Sequence, residues 1–454
     1  MVNTLYLPEL REMLAEENAA ELREFSIALH PARTAEFMEG LNAAETWAVL
    51  QYAEPAVRQS IFPYIGRDKQ IDILESHDRA EIADLVAGLP PDDRVDLLQD
   101  VREEIVRELL PLLPTEERRD ILRLQAYPEG TAGAMMTTSV VRLGEDLSVR
   151  DAMTALSRQA EEVETIYYLY IVDATDHLRG VVSARKLVAA IGKPDLRLRE
   201  LMETDVTSVT TLDDQEEVAR KVAHYDLHAI PVVDSERRFV GIITHDDVID
   251  VLREEATEDA QRIAAVAPLE ESYLRTSLIT LSRKRGVWLS VLFFGALFTA
   301  MALDRYDAAL AQTSWLVLFI PLVISSGGNS GSQSATLIIT AMATGDVTLG
   351  DWYRVVRREL VMGLLLGGFL ALFGFAASFL FGPRHEPAHL LILPITLVLV
   401  VLTGTLCGAS LPLVFRRLGL DPAIMSNPFV AGIVDILGII IYMNVALNVF
   451  AWTS

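Results

Sequence analysis

Short stretches with apolar residues at every third or fourth position fill residues 1 to about 130. "LPPDDRVDLLQDV" (89–101) and "LPTEERRDILRL" (113–124) share one pattern: Leu-Pro, an acidic first turn, then apolar positions at helical spacing. Proline and acids in a first turn mark helix starts, and their repetition predicts a small superhelical domain. From about 135 to 258 the period shortens: short β-branched runs alternate with helices, and the pattern occurs twice. "YIVDATDHLRGVVSARKLV" (170–188) aligns with "PVVDSERRFVGIITHDDVI" (231–249), matching Asp173 to Asp234 and Gly180 to Gly241. Each copy reads as a strand ending in Asp, a polar turn, a second strand beginning at Gly, and a helix.

After Arg283-Lys284-Arg285 come five apolar stretches, at about 286–303, 315–343, 360–381, 388–414 and 428–450. Roughly 20 apolar residues cross a bilayer as a helix, so five membrane spans are expected. The loop at 344–359 carries Arg354, Arg357 and Arg358, and 415–427 carries Arg416 and Arg417, whereas 304–314 and 382–387 hold one Arg each. By the positive-inside rule the N-terminal domains are cytoplasmic and the C-terminus lies outside. Charge divides at the same place. The net charge is −24, and residues 285–454 hold 8 basic and 8 acidic residues, so residues 1–284 carry all of it. An acidic surface of that kind repels nucleic acid and attracts cations. Phosphate-loop and HExxH patterns are absent, which removes support for ATP-driven pumping and zinc hydrolysis. Cys407 is the single cysteine, so an intrachain disulfide and a cysteine-based zinc site are both excluded. The N-terminus lacks the apolar core of a signal peptide and reads as an amphipathic helix.

"NPFVAGIVDILGIIIY" (427–442) places one carboxylate, Asp435, within an apolar run. An Asp at the centre of a membrane helix costs about 2.5–3.5 kcal/mol on insertion scales. On a helix Asn427, Ala431 and Asp435 share one stripe, roughly continued by Gly438 and Tyr442. The second apolar stretch is interrupted from Ser325 to Gln333 by Ser, Gly and Asn residues, Gly328 and Asn329 among them. Pro321 and these glycines predict a broken helix whose freed carbonyls face a water-filled cavity. Oxygen ligands without sulfur or imidazole suit hard cations such as Mg²⁺, Ca²⁺ or Mn²⁺. The competing structural reading is that Asp435 hydrogen-bonds to a Ser or Thr of a neighbouring span and the Gly/Ser run serves close helix packing.

The whole chain resembles the MgtE magnesium channels. "GGNSGSQSATLIIT", "SNPFVAGIVDILGIIIY" and "ATED" (256–259) carry the resemblance most specifically, together with the tandem CBS pattern. It implies a multidomain protein that is not an enzyme: a superhelical N-domain (1–130), two α/β CBS domains (131–198 and 199–258), a connecting plug-like helix (259–284) and an all-α membrane domain of five transmembrane helices (285–454). It also implies a homodimer in the cell membrane with a single Mg²⁺ pore on the two-fold axis. Asn427, Ala431 and Asp435 would line that path with Gly328 and Asn329, Asp435 giving the selective carboxylate. Asp92, Asp214, Glu216, Asp226, Asp247, Asp250, Glu255, Glu258 and Asp259 would bind cytosolic Mg²⁺ and close the pore. For any one of these acids alone, a solvated surface is the simpler reading.

CBS pairs of this kind also take adenine nucleotides such as ATP, held by an Asp that follows a Gly-aliphatic-aliphatic-Ser/Thr pattern. "GIITHDD" supplies it at Asp247, while "GVVSARK" has Lys186 instead; the nucleotide is therefore open through the second unit and unsupported through the first. Ser332 departs from relatives with Asn there. Two other functions compete: an ion-coupled divalent cation exchanger for Mg²⁺, Co²⁺ or Mn²⁺, and a nucleotide sensor anchored in the membrane, for which five spans are excessive.

Overall fold

The computed structural model describes residues 6–160, 163–269, 273–382, 387–422 and 427–453. It falls into two compact units, Met1–Glu254 and Glu255–Ser454. The interspan loop at 382–387 lies mostly outside the described residues.

The first unit begins with ten α-helices, from Leu7–Ala15 to Thr115–Leu124, none longer than ten residues. Proline opens Pro31–Phe37, Pro55–Ile61 and Pro91–Asp100, as the sequence pattern requires. Short helices leave a large share of their carbonyls without intrahelical partners. Arginines from downstream supply three of the closures. Arg58 Nε donates to Leu50 O at 3.0 Å, Arg79 Nη1 to Leu74 O at 3.1 Å, and Arg94 to Val86 O at 3.0 Å and Leu89 O at 2.7 Å. Between the helices Leu50, Ile61, Phe62, Ile73, Leu74, Ile82, Val86 and Val95 are fully buried, which is the source of the domain's stability.

The two CBS units repeat one topology. Strands β1 (Val140–Gly144), β2 (Thr165–Val172) and β3 (Leu178–Ser183) form one sheet in that order, β1 parallel and β3 antiparallel to β2. The strands β4 (Val209–Thr210), β5 (Ala229–Val233) and β6 (Phe239–Thr244) repeat it. The matched aspartates shape the matched turns: Asp173 Oδ1 accepts from Thr175 N at 2.8 Å and His177 N at 3.1 Å, and Asp234 Oδ1 from Glu236 N at 2.9 Å and Arg238 N at 2.8 Å. The matched glycines admit a crossing backbone. A methyl on Gly180 would stand 2.7 Å from Glu203 O, and one on Gly241 2.6 Å from Thr137 O.

In the second unit four helices among the described residues are long and apolar enough to cross a membrane: Leu278–Asp304, Leu349–Phe381, Pro387–Arg417 and Asn427–Trp452. The expected count of five is therefore not reached on composition. Trp315–Ala343 is a 29-residue helix, long enough at about 1.5 Å per residue, but its Ser/Gly/Asn run makes it too polar to qualify. Nor is it broken. Pro321 lies inside one continuous α-helix, because in a helix at membrane depth only the intrahelical ladder satisfies the backbone. Its glycines serve close approach instead: a methyl on Gly404 would stand 2.5 Å from Gly327 O, and one on Gly331 3.2 Å from Gly404 O. A second correction concerns 259–284, expected as one connecting helix. The helix His245–Ile263 ends there, and the next begins at Leu278. Ala265 takes φ +59° and Pro268 follows, a pair that stops a helix.

Candidate cation path and acidic cluster

The last helix, Asn427–Thr453, packs along the polar helix Trp315–Ala343. Gly328, Ala431 and Asp435 meet there. A methyl on Gly328 would lie 3.3 Å from Asp435 Oδ1 and 3.4 Å from Ala431 Cβ, so the carboxylate rests against bare backbone. Asp435 is half-buried, and no hydrogen bond or ion pair reaches it among the described residues. The bland reading, a bond to a neighbouring Ser or Thr, is not what the side chain does. Asn427 is fixed to the same polar helix, its Oδ1 accepting from Thr336 Oγ1 at 3.1 Å and its carbonyl from Ser332 Oγ at 3.1 Å. Asn329 and Tyr442 make different contacts. Asn329 is exposed and its Nδ2 donates to Ser325 Oγ at 3.2 Å on its own helix. Tyr442 is buried, its hydroxyl donating to Leu316 O at 3.0 Å, and works as a packing anchor.

In the first unit the acids divide into two groups. Asp214 caps the helix Gln215–His224 by accepting from Glu216 N at 2.9 Å, Glu216 pairs with Arg220 at 2.9 Å, and Asp226 occupies a turn at φ +50°. Those three serve local structure. Asp92, Asp93 and Asp96 on Pro91–Asp100 instead stand near Asp246, Asp247 and Asp250 of the helix that starts at His245. Burial first, and then the charges of Asp247, Asp93 and Glu164, hold the Asp92 carboxyl well above its usual range. Asp92 is 6 % exposed and its Oδ1 has no partner. Burial likewise pushes Asp96 and Glu164 up to about 7. It pushes Asp247 up to about 6, against the hydrogen bonds from Thr244 N at 3.1 Å and Thr244 Oγ1 at 2.5 Å. Further along, Asp250 pairs with Arg253 at 3.3 Å. In the second unit Glu258 and Asp421 both pair with Arg262, and Glu255 and Asp259 are engaged as well. Among the described residues no three His, Cys, Asp or Glu side chains are arranged as a ready-made metal cage.

Comparison with known proteins places the chain in a family. The divalent cation transporter profile of MgtE matches residues 320–445, the MgtE intracellular N domain 29–130, and the CBS domain 132–193 and 198–254. A magnesium transporter MgtE of Thermus thermophilus is 43 % identical over 327 residues, 71 % of each chain. One of Enterococcus faecalis is 34 % identical over 440 residues, 96 % of this chain and 95 % of its own. The chain belongs to the MgtE family.

MgtE proteins are transporters rather than enzymes, and the apolar helices make this one a multi-pass membrane protein. The crystal structure of the soluble part of a magnesium transporter is 36 % identical, with a TM-score of 0.52, covering 55 % of this chain and 97 % of that one. The cytosolic domain of the Mg²⁺ channel MgtE in complex with ATP is also 36 % identical, with a TM-score of 0.50, over 53 % and 98 %. Asp96 and Glu164 were missed in the sequence. The Asp92–Asp96 spacing of four was a usable signal for the first; for Glu164, which precedes a strand, none existed.

A pH dependence follows. Asp96, Glu164 and Asp247 have raised pKa values in the folded protein, so the folded state binds protons more tightly than the unfolded chain. Their stabilising contribution is complete below the ordinary carboxylate pKa of about 4 and is lost as pH rises through 6 to 7. With a chelator present, residues 1–254 should melt several degrees lower at pH 8 than at pH 5. A melting temperature that rises over that interval would show these carboxylates ionised without strain.

Proposed function

We propose that this MgtE protein conducts Mg²⁺ into the cell through a homodimeric pore on which two Asp435 carboxylates face each other, closed by Mg²⁺ at the cytosolic acids. The observation that carries the reading is Asp435 itself, a carboxylate among membrane helices with no donor among the described residues, resting on Gly328. Two such charges repel strongly in a medium of low dielectric unless a cation lies between them. A divalent ion neutralises both, whereas a monovalent ion leaves net charge. Mg²⁺ sheds water reluctantly, and the carboxylates, with the Asn427 amide nearby, suit an ion that keeps its first water shell.

In this reading Trp315–Ala343 crosses the membrane as a fifth helix, since Ser332, Thr336 and Tyr442 tie it to the last helix. The arginine-rich loops then lie inside and the C-terminus outside. Cytosolic Mg²⁺ closes the path by linkage: an ion that binds only the compact arrangement of the carboxylates favours that arrangement. Asp92 and Asp247 are its first candidates, with Asp214, Glu216, Asp226, Asp250, Glu255, Glu258 and Asp259 the resemblance's further candidates. A relative's cytosolic domain has been solved with ATP. Here Lys186, at the first unit's ribose position, pairs with Glu203 at 2.9 Å, so a nucleotide would enter only through the second unit.

Purified protein in liposomes, with ions substituted one at a time, tests the reading. Mg²⁺ influx down its own gradient, without a proton or sodium gradient, is the expected result. Influx that stops whenever the counter-ion gradient is removed would make the protein an exchanger.

A further inference from the structure

Glu359 is a second carboxylate among the membrane helices. It lies inside Trp352–Phe381 and is 9 % exposed. Its Oε2 accepts a 2.7 Å hydrogen bond from Ser334 Oγ, and its backbone carbonyl accepts from Thr405 Oγ1 at 3.2 Å. Ser334 belongs to the polar helix that supplies Gly328. Two residues to either side, Ser332 and Thr336 hold Asn427. At about 100° per residue, Ser334 points nearly opposite to those two. The polar helix is thus gripped at one level from two sides. On the Gly404 and Gly408 side Gly327 and Gly331 admit close backbone approach, with the Val400 side chain seated over Gly327. Small residues on that side allow close approach, and the polar grips on the other faces add direction to the packing.

We propose that Glu359, acting through Ser334, is a positioning residue for the ion path: it sets the rotation of the helix Trp315–Ala343 and hence how Gly328 and Asn427 are presented beside Asp435. It does not touch the ion. A buried hydrogen bond between two helices is directional, so it favours the rotational state in which Ser334 meets Glu359. The inference rests on the Mg²⁺-conducting reading above.

The test compares E359Q, E359L and S334A with the wild type in liposomes, reading Mg²⁺ influx and the ratio of Mg²⁺ to Na⁺ permeation. E359Q keeps an acceptor for Ser334 and should behave as wild type. E359L and S334A each remove the grip with Asp435 intact, and each should lower the ratio about tenfold. The double variant should be no worse than E359L, since both remove one contact. S334A deletes only a hydroxyl and serves as the reporter where E359L does not fold. A wild-type ratio in S334A or in folded E359L overturns the proposal. So does E359Q as damaged as E359L, which would make the Glu359 charge itself part of the path. Failure of the wild type to pass Mg²⁺ would instead remove the conducting reading.

Discussion

Asp435→Asn should fold, insert and assemble like the wild type, yet lose most of its preference for Mg²⁺ over Na⁺. Among the described residues the side chain has no hydrogen-bond partner to lose, and Asn has nearly the same volume, so packing against Gly328 survives. What changes is charge. In the proposed dimer two carboxylates become two amides, and the divalent ion no longer has a compensating −2. Contacts to an ionised group are worth about 1.5–3 kcal/mol each, so a fall in the permeation ratio of about a hundredfold is expected for the pair. Reversal potentials under mixed Mg²⁺ and Na⁺ gradients measure it directly. Unchanged selectivity would mean that the carboxylate is not where the ion is chosen.

Neutralising the acidic cluster should have an equally large effect with the opposite logic. In Asp92→Asn, Asp96→Asn, Glu164→Gln and Asp247→Asn combined, both the cost of burying charge and the mutual repulsion that push these pKa values up are gone. The compact arrangement then needs neither protons nor Mg²⁺. Wild-type protein should be cut rapidly by trypsin in chelator and protected by millimolar Mg²⁺, while the quadruple variant should resist at every Mg²⁺ concentration. Its influx should also stay low when internal Mg²⁺ is removed. Equal Mg²⁺ dependence in the two proteins would reduce the cluster to a solvated surface. Changing one acid at a time is expected to do less, because each neighbour still contributes its charge.

Much of this was legible before the structure. The doubled strand pattern with its paired Asp and Gly gave both CBS units, because each residue has a backbone task that few others perform. Stripe geometry brought Asn427, Ala431 and Asp435 together, since helical periodicity is local. Rotation about the partner helix is not local, and so the stripe does not reveal that Tyr442 is buried against Leu316. Glu359 was assigned to a loop because Arg357 and Arg358 mark a hydropathy boundary, yet the helix begins at Trp352. The unbroken helix through Pro321 was missed for a related reason: serines and glycines signal turns in water, but among membrane helices they allow close approach. The grouping of Asp92, Asp96, Glu164 and Asp247 joins segments far apart in the chain, and no spacing rule reaches across that distance.

The arginine closures in the N-terminal domain bear on biosynthesis. Arg58, Arg79 and Arg94 each cap carbonyls only five to eight residues upstream, so three of the ten helices wait for a side chain in the segment made immediately after them. Contacts that short form quickly. As the chain leaves the ribosome, this region should consolidate one helix behind the exit tunnel, before the first membrane segment has been translated. The scaffold that carries Asp92 and Asp96 would then be in place when the membrane helices begin to insert.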